Sequence, residues 1–223
     1  MTAIARPVVA DQGQRRASFQ QARSHETKRS LVAAAMALWR AHGYSRTTVA
    51  DICRAAGVSK ALFYFYFPRK EDVLFEVGVL STDAAHDIAK EMLTKPYDVD
   101  DVIAAVLTTL ENTMSGSPPE LIIEAILEGY RQALAGHEHL ERTSVIFADV
   151  FERAQRDRKL PAHVDADHLA NVAQSLVSEG TRHWAAGAYG ERSLAEVVGR
   201  DISALVAGYS VAPHHSEVAN RRH

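Results

Sequence analysis

The chain has 223 residues, 47% of them hydrophobic and 24% charged, and a formal net charge of −3. This composition is typical of a globular protein with one large domain or two small ones. Its one cysteine, Cys53, excludes an internal disulfide framework and favours the reducing cytoplasm. The longest apolar stretch, residues 31–39, is much shorter than the roughly 20 residues that cross a bilayer, and the N-terminus has no signal-peptide core. We therefore expect a cytoplasmic protein that has no membrane partner.

Charge is divided unequally between the two ends of the chain. Residues 1–70 hold 12 Lys and Arg against three acidic residues, a net charge of +9, whereas residues 71–223 hold 13 basic and 25 acidic residues, a net charge of −12. A basic segment of this kind suits a polyanionic partner such as nucleic acid. The alternative is a solvated surface that happens to be basic, so the sequence motifs have to distinguish these two interpretations.

The first predicted elements are a basic arm and one helix. Residues 1–25 mix Arg, Gln, Ser and Ala without a hydrophobic period, and we expect them to be a flexible arm. Residues 26–42 carry apolar side chains at intervals of three and four, which predicts a helix, and Gly43 stands where a left-handed cap would end it. Arg15 and Arg23 lie in the arm, which we expect either to reach into a DNA groove or to serve as a solubilising tail.

Two short helices are predicted next. Thr48 and Asp51 have the spacing of a capping box, which predicts a second helix that ends at Gly57. Ser59 is a second N-cap candidate two residues later, so a third helix is predicted to run to about Phe67. A short helix, a tight turn and a second short helix make a helix-turn-helix, which places its second helix in the DNA major groove.

The rest of the chain is predicted to be helical as well, because no strand-like alternation persists. Periodic segments separated by proline and glycine breakers predict helices at residues 69–93, 98–115, 118–135, 138–158, 165–187 and 192–210. The predicted fold class is therefore all-α, with an N-terminal three-helix DNA-binding domain and a C-terminal helical domain. Its predicted parts are a flexible basic arm at 1–25, the helix-turn-helix domain at 26–70, a second helical domain at 71–212 and a flexible tail at 213–223.

The third helix contains five consecutive aromatic residues, which a helix distributes around all of its sides. We expect Phe63, Phe67 and part of Tyr66 to join the core, and Tyr64 and Phe65 to face outward as a contact surface. The alternative, a core position for all five, requires a helix that is buried on every side.

These segments resemble the N-terminal signature of the TetR (tetracycline-repressor) family of bacterial transcription regulators over about residues 28–75. The residues that carry the resemblance are Gly43-Tyr44, Thr47-Thr48-Val49-Ala50-Asp51-Ile52, Ala56-Gly57-Val58-Ser59-Lys60, Phe63-Tyr64-Phe65-Tyr66-Phe67 and Lys70-Glu71-Asp72. The resemblance implies a homodimeric, all-helical regulator that leaves its operator when a small molecule enters the C-terminal domain. Residues 71–212 are therefore expected to be a ligand-binding and dimerisation domain.

The resemblance also implies roles for single residues. Thr48 would contact a phosphate, Lys60 and Tyr64 would face DNA, and Lys70 would hold the DNA backbone. Leu62 stands where the family often has threonine, which favours apolar over hydrogen-bonded contacts to the bases. The complete set of expected DNA-contacting residues is Arg46, Thr48, Ser59, Lys60, Ala61, Leu62, Tyr64, Phe65 and Lys70.

The last two predicted helices each carry an apolar stripe. The stripes consist of Leu169, Val172, Leu176 and Gly180, and of Leu194, Val198, Ile202, Leu205 and Tyr209. Paired with a second chain they would form a four-helix interface, so we expect a homodimer through the last two helices; the alternative is that both stripes are buried within one domain. Glu128 and Arg131 are expected to form a surface pair.

A small-molecule effector is the second expected partner, after a double-stranded DNA operator. Aromatic and polar residues at core-like spacing are candidates for its pocket, although most of them would also serve as packing. They are His86, Met92, Tyr130, Phe147, Phe151, His183 and Trp184. No histidine cluster has complete metal-ligand spacing, and no phosphate loop or nucleophile elbow occurs, so we expect no metal, no other cofactor and no catalytic residues.

The function predicted from these features is a ligand-responsive repressor, released from a palindromic operator by a small apolar or amphipathic effector. One alternative is an all-α enzyme or small-molecule carrier whose basic N-terminus is incidental, which predicts no salt-dependent DNA binding. Another is an architectural protein that binds DNA without a preferred site.

Overall fold

The computed structural model describes residues 10–134 and 146–211, and this part of the chain contains helices and no strand. The all-α prediction is therefore confirmed. The elements are α1 (Ala10–His42), α2 (Val49–Ala56), α3 (Lys60–Tyr66), α4 (Lys70–Leu93), α5 (Val99–Met114), α6 (Pro119–Leu134), α7 (Ala148–Arg156), α8 (Ala166–Ala185), a π-helical turn (Ala195–Gly199) and α9 (Arg200–Ser210). The bounds of α4, α5, α6 and α8 lie within two residues of those predicted.

The chain divides into two compact units, one up to Val77 and one from Gly78 onward. The sequence predicts that the DNA-binding domain ends at residue 70. The difference arises because the first two turns of α4 contact the N-terminal unit: the Tyr44 hydroxyl donates to Glu71 Oε1 at 3.1 Å, and Lys28 Nζ lies 2.6 Å from Glu76 Oε2.

The N-terminal unit is built around one small core. Its buried side chains come from all three helices of the predicted DNA-binding domain and from the start of α4. They are Leu31, Val32, Ala35, Trp39, Ile52, Cys53, Phe63, Phe67, Val73 and Leu74. Burial also raises the pKa of the Cys53 thiol, which agrees with its expected place as a small core residue.

The N-terminal arm differs from the prediction. Residues 10–25 are not an unstructured segment but the first part of α1, whereas residues 1–9 lie outside the described part of the chain. The missing hydrophobic period predicts disorder, yet Ala, Gln and Arg are strong helix formers and Gly13 is the one breaker in the stretch. The helix is also held at Ser24, whose Oγ accepts a hydrogen bond from the Tyr66 hydroxyl at 3.1 Å.

The C-terminal unit has a larger apolar core. Helix α5 contributes a continuous buried stripe that packs against the π-helical turn, and α8 packs against both α6 and α7. Phe147 and Phe151 are fully buried and stack with their ring centroids 5.7 Å apart. Helix α7 begins at Ala148, so residues 146–147 precede it, and the other early residues of the predicted 138–158 helix lie outside the described ranges.

The predicted last helix, 192–210, is divided. A π-helical turn at Ala195–Gly199 precedes α9, and the Leu194 N–H donates to Glu111 Oε2 at 2.6 Å. The turn fits closely against α8, because a Cβ added at Gly180 would collide with Cγ2 of Val198. The predicted tail at 213–223 lies outside the described residues.

Burial divides the members of the two apolar stripes into core residues and half-buried residues. Five of their members are buried within their own unit: Leu169, Gly180, Leu194, Val198 and Ile202. These side chains complete the core of one chain and are not available to a second one. Four members remain half-buried: Val172, Leu176, Leu205 and Tyr209. In the described ranges, no helix combines the length and apolarity that crossing a membrane would require.

Candidate nucleic-acid interface

The start of α2 is fixed by a capping box, as predicted. The Asp51 N–H donates to Thr48 Oγ1 at 3.2 Å, while Asp51 Oδ2 accepts from the Thr48 N–H at 3.1 Å and from its hydroxyl at 2.6 Å. These two donors lower the pKa of the Asp51 carboxyl below its usual value. Thr48 is exposed, but its hydroxyl proton is given to Asp51, so a phosphate contact would have to compete for that proton.

The turn between α2 and α3 lies at the predicted position. Gly57 adopts φ +69°, the left-handed conformation that glycine favours, and the Val58 N–H closes the end of α2 by donating to Cys53 O at 3.0 Å. Ser59 then caps α3, because its Oγ accepts from the Leu62 N–H at 3.1 Å. Two local caps therefore set the orientation of α3.

Helix α3 has one buried and one exposed face. Phe63 and Phe67 are buried and Tyr66 is half-buried, whereas Tyr64 is 51% exposed and Phe65 is 75% exposed. The predicted division of the aromatic run between core and surface is confirmed. The exposed side of the α3 segment also includes Ser59, Lys60, Ala61 and Leu62.

Two exposed basic side chains, Arg46 and Lys60, lie beside helix ends in the N-terminal unit. Arg46 is exposed and its Nε donates to His42 O at 2.7 Å, so its guanidinium is placed at the end of α1 and near the start of α2. Lys60 is exposed at the first turn of α3. Two acidic side chains of the unit have basic neighbours: Arg69 pairs with Asp72 at 2.7 Å, and Arg54 with Asp51 at 3.2 Å. The arrangement suits a polyanion.

Lys70 has contacts that the sequence did not predict. It is half-buried, its Nζ lies 3.1 Å from Tyr44 O and 3.2 Å from Thr47 O, and the same atom is 4.0 Å from the centroid of the Tyr44 ring. Two of the three ammonium protons are therefore used within the protein. These contacts connect the loop before α2 to the start of α4, which is a positioning role.

The contact between α1 and α3 was also missed. The Tyr66 hydroxyl donates to Ser24 Oγ at 3.1 Å, and the rings of Phe65 and Tyr66 meet edge to face with centroids 5.1 Å apart. Because Ser24 and Tyr66 are 42 residues apart, no local spacing pointed to this pair. The one available signal was the hydroxyl of a half-buried tyrosine, which usually requires a partner.

The candidate effector residues do not converge on one cavity. Phe151 lines a pocket of about 330 Å³, a size within the usual range for small-molecule sites. Its walls are apolar at Val99, Phe151, Ala154, Leu160, Val206 and Ala207, and polar at Asp98, Asp100, Lys159 and Ser203. His86 lines a second, polar pocket of about 380 Å³ with Asp83, Asp87, Lys90 and Asp149.

The other candidate residues have different surroundings. Phe147 is buried in the core, and Met92 and Trp184 pack against that core. His183 Nε2 lies 3.2 Å from Glu179 Oε1, and Tyr130 is 53% exposed. None of these five lines either of the two pockets, so their placement supports packing or surface roles.

Glu128 was predicted to form a surface pair, and the structure corrects this prediction. Its side chain is only 1% exposed, Oε1 accepts from Gln132 Nε2 at 2.7 Å, and Arg131 approaches Oε2 at 3.3 Å from the surface. The spacing identified the partner correctly but could not show which side of α6 faces the protein interior.

Comparisons with known proteins agree with this geometry. The family described as bacterial regulatory proteins, tetR family, matches residues 31–77, which span the second part of α1 to the first turns of α4. The HTH-type transcriptional regulator AcrR of Shigella flexneri is 30% identical over 105 residues, or 46% of this chain and 49% of that protein. The matched stretch thus spans about half the length of this curated relative.

Solved structures extend the likeness to the C-terminal unit. FadR of Thermus thermophilus, a TetR family transcriptional repressor solved in complex with lauroyl-CoA, superposes with a TM-score of 0.65 at 20% identity, covering 85% of this chain and 97% of that one. FadR of Bacillus subtilis, solved with stearoyl-CoA, superposes with a TM-score of 0.61 at 18% identity, covering 80% and 97%. At these identities the likeness shows a shared fold.

Proposed function

We propose that this chain, which belongs to the TetR family of bacterial regulatory proteins, is a ligand-responsive repressor that binds a palindromic operator in the bacterial cytoplasm. The observation that carries the proposal is the exposed face of α3, which presents a lysine, a tyrosine and apolar side chains from a helix capped at Ser59. A helix-turn-helix places such a face in the major groove.

The contacts with DNA divide into two kinds. Arg46, Thr48 and Lys60 lie at or beside helix ends and would bind phosphates, which fix position without reading sequence. Ser59, Ala61, Leu62, Tyr64 and Phe65 lie along α3 and would approach the base edges. Lys70 belongs with this site as a residue that positions the start of α2, since its ammonium is bonded to carbonyl oxygens.

A palindromic operator requires two copies of α3, because half-sites in helix-turn-helix complexes are about 34 Å apart. We propose a homodimer through α8 and α9. The burial of most of the two stripes restricts its apolar contacts to the half-buried Val172, Leu176, Leu205 and Tyr209. These four residues give α8 and α9 apolar surface that the core of their own chain does not fully cover.

The dimer surface can be tested by introducing a charge. Leu205→Glu should convert the dimer to a monomer in sedimentation equilibrium, because an unpaired carboxylate would be buried in the interface. Leu127→Glu, the same change at a 40% exposed site on α6, is the matched control and should leave the oligomeric state unchanged. A Leu205→Glu protein that is still dimeric would place the interface elsewhere.

The effector is proposed to be small and apolar or amphipathic. Two structural relatives are solved with acyl-CoA molecules, and the pocket beside Phe151, Leu160 and Val206 combines apolar walls with a charged rim. In this mechanism the bound effector favours a distance between the two α3 helices that does not match the distance between the operator half-sites. The mismatch would lower DNA affinity by about 1–3 kcal/mol.

The central experiment is fluorescence anisotropy on labelled DNA from immediately upstream of the gene, across a salt series and with unrelated competitor DNA. We expect saturable, competitor-resistant binding that strengthens as salt falls. Tyr64→Ala should weaken it, whereas Tyr130→Ala removes a tyrosine of equal exposure outside the helix-turn-helix and should not.

Two outcomes would contradict the proposal. If no labelled duplex resists competitor, including duplexes selected from a random pool, the protein is an architectural DNA binder. If there is no binding even at low salt, it is a helical enzyme or carrier.

A further inference from the structure

Helix α3 offers few polar groups with which to read bases. Ser59 Oγ accepts the Leu62 N–H, and the Tyr66 hydroxyl donates to Ser24 on α1. The exposed face thus presents Lys60 and the Tyr64 hydroxyl as its polar side-chain groups beyond the cap. It carries no Asn, Gln or Arg, the side chains that recognise adenine or guanine by paired hydrogen bonds.

The apolar part of this face is large and held in place. Phe65 is 75% exposed and Leu62 is 37% exposed. The Phe65 ring meets the Tyr66 ring edge to face, with an interplanar angle of 84°, and the bond from Tyr66 to Ser24 fixes that second ring against α1. An aromatic side chain that is both exposed and oriented indicates a contact surface.

The partner that fits this surface is the major groove of duplex DNA. Residues 1–77 carry 12 basic and six acidic side chains, a balance that suits a polyanion. In the major groove the apolar group that distinguishes one base from the others is the C5 methyl of thymine.

We propose that Phe65, supported by Leu62, determines operator sequence by contacting thymine methyl groups, so that each half-site carries thymine at the positions facing these two side chains. This inference rests on the proposed function and specifies how that function selects its site.

The test uses deoxyuridine, which differs from thymidine only in lacking the C5 methyl group. Duplexes are selected from a random pool with the full-length protein, and thymines of the enriched site are replaced singly by deoxyuridine. At the contacted positions, replacement should weaken binding by wild type about fourfold for each methyl group, the equivalent of one apolar carbon taken out of contact.

The matching variants separate Phe65 from the rest of the interface. Phe65→Ala should bind thymine and uracil duplexes equally at these positions, and Phe65→Leu should keep part of the difference. Lys60→Ala should bind both duplexes more weakly while keeping the wild-type ratio between them. Because Phe65 is exposed, the variants should fold, which circular dichroism checks.

Three outcomes would overturn the inference. If no sequence is enriched, site-specific binding fails and the inference fails with it. If a site is enriched but no uracil replacement changes affinity by more than twofold, the inference is wrong while the proposed function stands. If uracil weakens wild type and Phe65→Ala equally, the methyl group acts through DNA shape and not through Phe65.

Discussion

The ammonium of Lys70 lies 4.0 Å from the centroid of the Tyr44 ring and donates a hydrogen bond to the Tyr44 carbonyl oxygen at 3.1 Å. The same Nζ lies 3.2 Å from the carbonyl oxygen of Thr47, the residue before the N-cap of α2. One side chain at the start of α4 therefore fixes both ends of the loop that leads into the helix-turn-helix. A Lys70 variant that loses DNA binding would therefore show the effect of a displaced loop as much as the loss of a phosphate contact.

Lys70→Ala should lower the free energy of unfolding by about 1–3 kcal/mol, because two carbonyl oxygens lose a charged donor. The measurement is urea denaturation. Lys60→Ala is the matched control: its side chain is exposed, so its stability should stay within about 0.5 kcal/mol of wild type, although its DNA affinity should fall. If Lys70→Ala is fully stable but binds DNA poorly, the positioning role is wrong and a direct DNA contact takes its place.

Asp51 should make the stability of the N-terminal unit depend on pH. Hydrogen bonds from the Thr48 hydroxyl and N–H lower the pKa of Asp51 from the ordinary 3.8, so the folded state favours the carboxylate. This stabilisation is complete above the unfolded pKa and is lost as pH falls through the lower folded pKa.

Thr48→Val tests this coupling, because it removes the hydroxyl donor. The pKa of Asp51, followed by NMR titration of its carboxyl carbon, should rise toward its ordinary value. The difference in the free energy of unfolding between this variant and wild type should become smaller at low pH. Thr108→Val, at an exposed site on α5, should leave the Asp51 titration unchanged. An unaltered Asp51 titration in Thr48→Val would contradict the assigned cause.

Gly180→Ala should destabilise the C-terminal unit, since the new Cβ would overlap Cγ2 of Val198. Overpacking of this kind costs about 1–3 kcal/mol, more than the roughly 0.5–1 kcal/mol that alanine gains over glycine in a helix. Gly129→Ala, on α6 with no atom of the described residues within 4 Å of the added Cβ, should instead stabilise the protein. Thermal unfolding measures both.

The pair can be verified by a double-mutant cycle. In a Val198→Ala background, Gly180→Ala should cost less than it does in wild type. Equal costs in the two backgrounds would show that the π-helical turn does not press against α8 at Gly180.

Glu128→Ala should cost about 1–3 kcal/mol of stability, because it removes a carboxylate that accepts a hydrogen bond from the buried Gln132 amide. Glu124→Ala changes a partly exposed carboxylate on the same helix, 3.9 Å from Arg131, and should stay within about 0.5 kcal/mol of wild type. Urea denaturation measures the free energy of unfolding of the two variants. Equal effects would mean that the buried hydrogen bond to Gln132 contributes nothing net.

Local features of the N-terminal unit were readable from the sequence, because each depends on residues within one turn of each other. The capping box of Thr48 and Asp51, the cap at Ser59 and the end of α2 at Gly57 all appear as predicted. The outward position of Phe65 followed from helical periodicity alone, since five consecutive aromatics cannot share one face. The same local patterns carried the family resemblance that the comparisons support.

Long-range packing decided the rest. Helical spacing linked Glu128 to Arg131 but could not show that the glutamate is buried, and an apolar stripe such as the one through Leu194 and Ile202 looks the same whether it faces its own core or a second chain. The contact of Ser24 with Tyr66 joins residues 42 positions apart. The period of apolar residues in a sequence shows that one face of a helix is buried, but it does not show which residues cover that face. The covering residues come from a distant part of the chain, and the packing of all the helices determines which residues they are.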